Sequence, residues 1–549
     1  MLASVSSEYM MYIRKKINKG GSYSVMLVTG ERMPGRKNPT TRIIKNFGCS
    51  SEEKVLEILI QQAEAYKKHL LSLSPKPKLL KIAADIDIKS CRSLNVGFTD
   101  VYGQCFDNIF RSTLSLNSAA MAQLRHLVVM RIAQPASKRK TARVSSEYGI
   151  ELNVDSIYKL MDKLNDKAIA QIKQAVYQHT TQVLEQKKET IDILFYDLTT
   201  ISFETCSQDE LRDFGFSKDG KHQHVQIMLA VSVTKNGLLV DYQEFPGNCY
   251  EGHTLLPVIN SMKLRYDIDK IVLVADAALM NKINLQELTE KNIQYVIAAR
   301  IKNVKNDIKD KILDITAYKK LYTIHDDQGV TQDDIQTQII ALPTGDSLVA
   351  YHSSKRARKD AHDREKDIEK IKKYIHSTAK SKLTSRLKKP YVKVDKSCKI
   401  EIDVEKLELQ IKYDGFFALQ TNVDHIDPKE LLSTYRGLWQ VEQTFRIAKS
   451  HLEIRPVFHY NPRRVKAHFA LCYMALSLIR YVDFALRNHG LVFPCEQLYI
   501  LLDRMRVVEI KNTKDERYEL LEDPPPELPH VYHALKLTWR KKFSHKPQL

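Results

Sequence analysis

Between residues 190 and 300 the chain alternates short apolar runs with segments of helical period. IDILFYD (191–197) and KIVLVAD (270–276) are continuous, apolar and rich in Ile, Leu and Val, and each closes on an aspartate, Asp197 and Asp276. Runs of this kind read as strands buried on both faces of a mainly parallel sheet. HVQIMLAVSVT and LLVDYQEF flank Asn236–Gly237, which reads as a hairpin turn between two further strands, and QYVIAA supplies another. Thr254–Arg265 and Met280–Lys291 fill the helical slots.

The flanks have different textures. Residues 1–48 place MMYIRKKI, SYSVMLVTG and TRIIKNFG between Gly- and Pro-containing turns, and residues 52–72 then look helical. From 108 to 186 the pattern is helical, interrupted by the basic break QPASKRKTARVSSEYG. Beyond residue 300, TQIIALP, SLVAYH, KIEIDV, KLELQIKY and GFFALQTN read as strands around a basic helix, KRARKDAHDREKDIEKIKKYIH. Asp427-Pro428-Lys429-Glu430 then opens a strong helix, with Asp as N-cap, Pro at the first turn and Glu three residues after the cap; Pro456 marks its far end. Phe469–Leu486 is apolar but carries Arg480 and Asp483, which suits a buried helix better than a membrane span. The Pro524–Pro526 run reads as a stiff spacer before a basic tail, WRKKFSHK.

At 549 residues and 43% hydrophobic content the chain is long enough for several cores. Its 85 Lys and Arg against 66 Asp and Glu give a formal charge of +19, which points to nucleic acid rather than an anionic membrane. Lys355–Lys399 concentrates that excess, with 17 basic against 6 acidic residues. Acids interleave in Lys355–His376, so that helix reads as a solvated face; the acid-poor continuation, with Lys388 and Lys389, is the better phosphate-contacting surface. Eight scattered cysteines without a C-x2-C pair disfavour a zinc ribbon or disulfide framework, and the N-terminus lacks a secretory signal, so a cytoplasmic setting is expected.

The chemistry gathers on the helix opened by Asp427. At about 100° per residue, Tyr435, Glu442 and Lys449 fall within roughly 40° of one another. Arg446 shares the stripe, with Leu438 and Trp439 at its margins. Singly, any acid here reads as a cap or a surface ion pair. Together, two strand-end aspartates and a helical glutamate form a carboxylate cluster whose mutual repulsion calls for cations. Oxygen-only ligation suits Mg²⁺, with Mn²⁺ able to substitute, and two such ions serve phosphoryl transfer.

Strand–Asp197, strand–Asp276 and the helix with Tyr435, Glu442 and Lys449 resemble the DDE-type insertion-sequence transposases of the insertion-sequence-four-like group, which carry a Y-x2-R-x3-E-x6-K signature. The resemblance covers roughly residues 190–480. It implies an α/β fold, a ribonuclease-H-like mixed sheet with a β-rich insertion between the second Asp and the Glu. It further implies Mg²⁺-dependent cleavage at transposon ends, joining of the freed 3′-hydroxyl to target DNA, double-stranded DNA as partner and a homodimer on it. The alternatives are a stand-alone nuclease of the same fold and a non-catalytic DNA-binding relative. On this basis the chain divides into 1–75, a small β/α region; 76–188, a helical DNA-binding region; 189–300, the first part of the catalytic domain; 301–425, the basic β-rich insertion; 426–485, the catalytic helix and the end of that domain; and 486–549, a helical and basic tail suited to dimerisation.

One position departs from the signature: Leu438 stands where Arg is expected. The phosphate contact assigned to that Arg falls to Arg446, to Arg436 if the helix is irregular at Gly437, or elsewhere. Both tryptophans lie outside the insertion, so base stacking there rests on a residue such as Tyr322, Tyr351 or Tyr374. Thr199 and Thr200 read as strand-exit residues, His222 and His224 as surface strand histidines, Glu251–His253 as a helix entry, and Asp192 as lying at the wrong end of its strand for catalysis.

Overall fold

The computed structural model describes residues 11–18, 21–31, 40–73, 88–216, 223–266, 271–276, 281–325, 330–375, 389–394, 400–425, 427–513 and 515–546. Its helical block comprises α1 (Gly97–Phe110), α2 (Ser118–Ala133), α3 (Lys138–Val144), α4 (Val154–Lys163) and α5 (Asp166–Glu185). The last four each open on a side chain that caps a backbone N–H, from Asn117, Ser137, Asn153 and Asn165 in turn.

A sheet of nine strands follows: β1 (Ile193–Ser202), β2 (Gln226–Thr234), β3 (Leu239–Pro246), β4 (Val272–Ala275), β5 (Gln294–Ala298), β6 (Lys319–His325), β7 (Thr331–Ala341), β8 (Ser347–Ser353) and β9 (Phe416–Thr421). Their spatial order is β6-β7-β8-β9-β5-β4-β1-β2-β3. β1, β2 and β3 pair antiparallel through the turn at Asn236–Gly237, where Gly237 takes a φ of 79°. β4 runs parallel to β1, and β5 parallel to β4. The β3-β2-β1-β4-β5 portion is the ribonuclease-H-like order. The insertion strands extend this sheet, because β9 pairs antiparallel with β5 and carries β8, β7 and β6 outward.

The two faces of the sheet serve different cores. Leu194, Tyr196 and Leu198 pack with α6 (Leu255–Arg265) and α7 (Lys282–Glu290) through Val258, Ile259, Met262 and Leu288. Phe195, Ile201, Val274 and Val296 point the other way, into a core shared with α1, α2, α4, α5 and the long α12 (Pro462–Asn488). α12 has the length and apolarity of a membrane span, yet 89% of its most apolar window is buried in this core.

Two expectations need correction. KLELQIKY does not form a strand: Val404–Ile411 is a helix, because the Asp403 side chain caps Lys406 N–H and Leu, Glu, Gln and Lys are good helix formers. The C-terminal tail is not wholly helical. Arg506–Asn512, Arg517–Leu521 and Phe543–Lys546 form a sheet with Ile88–Asn95, inside the region read as helical. The basic end of the tail is docked, with Arg540 paired to Asp100 and Glu519. Near the start of the chain, Met11–Ile17, Tyr23–Glu31 and Thr40–Ser50 form a separate antiparallel sheet beside the helix Glu53–Leu73.

Candidate active site

The parallel register brings the two aspartates together, although only Asp276 ends its strand: β1 continues to Ser202, and Asp197 lies within it, opposite Val231 of β2. Tyr196 of β1 lies opposite Ala275 of β4, so Asp197 and Asp276 are the next residues on adjacent strands, where the β1–β4 pairing stops. Neighbouring strands are about 4.8 Å apart. Period-2 alternation puts Asp197 on the face of Phe195, and Asp276 on the face of Val274, which is the same face of the sheet. Asp197 is half-buried and its Oδ1 accepts the Leu198 N–H at 2.7 Å, whereas Asp276 is exposed.

That face is covered by the signature segment, although not by one continuous helix. α10 (Pro428–Arg436), opened by Asp427 as predicted, ends at Gly437; α11 (Trp439–Arg446) follows, and Ile447–His451 widens into a π turn. At the junction Gly437 and Leu438 keep right-handed helical dihedrals, but the hydrogen bonds shorten to i−3 spacing, as from Leu438 N–H to Tyr435 O and Gln440 N–H to Gly437 O. Gly437 lies so close to β1 that a Cβ there would come within 2.4 Å of Phe195 Cζ. The segment therefore touches the strand two residues before Asp197, while Val441 and Phe445 enter the shared core. Glu442, one residue from Val441, is exposed.

Electrostatics link Asp276 and Glu442 through Tyr435. Burial first, then the charges of Asp276 and Glu442, push its hydroxyl up to about 12, with Arg356 pulling the other way. Arg356 belongs to α8 (Ser354–Ile375), so the insertion contributes a cation to the same environment. Among the described residues no three His, Cys, Asp or Glu side chains stand close enough to hold a metal ion. The aspartate pair has the oxygen donors suited to a hard cation; Glu442 is near but not gathered into a closed cluster.

The remaining candidates separate. Arg446 is exposed on α11, and Lys449 is half-buried in the π turn. Arg436 donates to the Tyr322 hydroxyl at 2.8 Å, and Lys389 pairs with Asp367 at 2.6 Å, so each already has a partner within the protein. Lys388 lies outside the described residues, as do His222 and the side chain of Tyr374. Tyr351 cannot stack on a base: it is fully buried against Phe417, with its hydroxyl donating to Pro428 O. Thr199 and Thr200 are buried strand residues, His224 contacts Phe203 O, Glu251–His253 is a short turn leading into α6, and Asp192 pairs with Lys235.

Sequence reasoning missed what fixes α11 in place. Arg480 of α12 is fully buried; its guanidinium donates to Gly237 O at 2.7 Å, Gln440 Oε1 at 2.6 Å and Gln443 Oε1 at 2.9 Å. It ties the Glu442 helix to the β2–β3 hairpin. Burial lowers its pKa to about 10, so it stays charged at neutral pH. The available signal was an arginine inside an otherwise apolar helix.

A family model described as a transposase DDE domain matches residues 188–478. Among solved structures the chain is similar to one described as the Mos1 transposase paired-end complex with left transposon end, with 12% identity and a TM-score of 0.15. That similarity covers 32% of this chain and 57% of the other, so the chain spans little more than half of that relative. No curated protein matches. The family match takes in both aspartates, the insertion and the Glu442 helix, and on it the chain belongs to the DDE-domain transposases.

Proposed function

We propose that this transposase cleaves DNA at transposon ends and joins the freed 3′-hydroxyl to target DNA, with Asp197, Asp276 and Glu442 as its metal-binding carboxylates. The observation that carries the reading is the β1–β4 register, which sets Asp197 and Asp276 side by side beneath the segment bearing Glu442. Asp197 and Asp276 are an oxygen-only donor pair that suits Mg²⁺ or Mn²⁺, with Glu442 as a third carboxylate. Ions held by these residues would supply activation of the attacking oxygen and stabilisation of the leaving one.

The chain's own residues bind and orient. Tyr435, protonated at neutral pH, donates a hydrogen bond to a phosphate oxygen beside the carboxylates. Arg446 and Lys449 hold flanking phosphates as cations, and Arg446 takes the role vacated at Leu438. Arg436 orders Tyr322 of the insertion next to the site. The family and the basic composition support double-stranded DNA as substrate, with a dimer holding paired ends.

The test is strand cleavage and joining on labelled DNA carrying the flanking element's ends. Wild type acts with Mg²⁺ or Mn²⁺ and stops with EDTA, while Glu442→Ala binds the DNA without cutting. Salt-sensitive binding with no cleavage by either protein refutes the enzymatic reading.

A further inference from the structure

Away from Asp197 and Asp276, the segment after the π turn and the α2–α3 junction enclose an open cleft of about 880 Å³. Its lining includes Arg131, Lys138, Arg139 and Lys140 from the α2–α3 junction, and Phe458, Tyr460 and Arg464 from the segment after the π turn and the start of α12. Lys138 is only 4% exposed, yet it has no hydrogen-bond or ion-pair partner among the described residues. Arg131, 7% exposed, makes one contact there, a long 3.4 Å bond to Leu452 O. Arg464 is committed to Asp162, and the cleft's one carboxylate is the exposed Glu453. Two buried histidines also line the cleft and add no positive charge of their own. Burial, Lys138 and Arg131 push His459 down to about 3 and His468 well below its usual range.

Burial and the neighbouring Arg131 hold the Lys138 ammonium well below its usual range, and an anion docked against the two would favour its charged form, so this wall suits an anion. The rest of the lining says which anion. Phe458 is 59% and Tyr460 71% exposed, two aromatic rings presented to solvent one residue apart. Arg212 holds the lip by donating to Tyr460 O at 2.9 Å. A free phosphate fills only the basic side and leaves these rings unused. Duplex DNA offers phosphates, but its base faces are already stacked. An unpaired nucleotide offers both a phosphate and a free π-face.

We propose that this cleft binds an unpaired DNA strand, with a backbone phosphate against Lys138 and Arg131 and a base against Phe458 or Tyr460. The proposal rests on the DNA-processing reading above. The cleft's aromatic lip lies within twenty residues of Glu442 in the sequence, which suits it to a strand separated near the cut.

The test uses the full chain with Glu442→Ala, so that DNA stays intact, and two labelled probes: a blunt duplex and the same duplex with a single-stranded thymidine tail. Phe458→Ala/Tyr460→Ala and Lys138→Met should each weaken binding of the tailed probe about tenfold and leave the blunt probe within about twofold. Lys138→Met should also lower the salt slope of tailed binding by about 0.7. Its melting temperature should hold or rise, because it replaces a buried amine that has no partner among the described residues. The exposed aromatic pair keeps the test decisive if Lys138→Met fails to fold. Equal losses on both probes, or no loss on either, overturn the proposal. So does protection from heat by inorganic phosphate that Lys138→Met abolishes, when the aromatic variants bind the tail normally: the cleft is then a simple anion site. Tail binding that depends on these residues in a protein whose wild type never cleaves sinks the transposition reading and keeps the cleft. Cleavage with unaltered tail binding does the reverse.

Discussion

Arg480→Met isolates the contact that holds the Glu442 helix to the sheet. In the native protein the buried guanidinium satisfies Gly237 O, Gln440 Oε1 and Gln443 Oε1, with a weaker fourth contact to Asp483 at 3.4 Å. Hydrogen bonds to a charged group contribute about 1.5–3 kcal/mol each, and burial of the charge offsets part of that. Methionine fills similar volume but leaves three buried oxygens without their donor, at about 1–3 kcal/mol apiece before the glutamines re-orient. The expected net loss is about 3–5 kcal/mol, the range for breaking a buried polar network. Gln440 and Gln443 flank Glu442, so the same change should loosen its placement and cut the cleavage rate about 10²-fold, as a displacement near 1 Å does. Arg480→Lys keeps the charge but not the planar fork and should fall between the two. The assay pairs thermal unfolding with single-turnover cleavage at saturating DNA. A positioning role requires the rate to fall while DNA affinity holds. Normal melting and cleavage within twofold of wild type would refute the argument, and destabilisation with an unchanged rate would reduce Arg480 to a structural residue.

Other perturbations probe the same frame. Gly437→Ala forces a methyl group onto Phe195 and should cost about 1–3 kcal/mol and slow cleavage, with Phe195→Leu restoring part of both; cleavage by the single variant at the native rate would contradict the close approach. His179 is pushed down to about 4 by burial, from 6.5 unfolded. The unfolded chain therefore binds the extra proton first, so this group's contribution is full above pH 6.5 and is lost as pH falls toward 4, with a slope approaching about 1.4 kcal/mol per pH unit. His179→Phe should flatten melting temperature against pH in that window, and an unchanged slope would count against it. Arg540→Ala removes the paired contacts to Asp100 at 2.5 and 2.7 Å and to Glu519 at 2.8 Å, and should expose the C-terminal strand to proteolysis; equal resistance in variant and wild type would show that the tail docks without it.

What the sequence disclosed was local. IDILFYD and KIVLVAD announce strands because a segment buried on both faces has little room for polar residues, and Asn236–Gly237 announces its hairpin because few other pairs adopt that turn. What it withheld was non-local. Nothing in IKSCRSLN shows that residues 88–95 pair with 506–512, more than 400 positions away, because a strand's period does not name its partner. KLELQI alternates like a strand, but the Asp403 cap decides for helix. Likewise the ideal angular spacing of Tyr435, Glu442 and Lys449 assumed a regular helix, whereas the hydrogen bonds tighten to i−3 spacing at Gly437–Leu438 and a π turn carries Lys449. The grouping of Asp197 with Asp276 was legible because it depends on strand order alone.

This difference bears on how the site is assembled. Asp197 lies within β1 and Asp276 directly after β4, on adjacent core strands, and their separation is set by the backbone ladder. Glu442 sits on a helix of eight residues, shorter than any that persists without tertiary support. Its position is therefore set by tertiary contacts: Val441 and Phe445 in the shared core, Gly437 against Phe195, and the Arg480 bonds to Gln440 and Gln443. A change at any of these contacts acts on Glu442 without touching the backbone ladder that sets Asp197 beside Asp276. Substitutions at Gly437 and Arg480 should therefore alter the placement of the third acid alone, and leave the aspartate pair as it is.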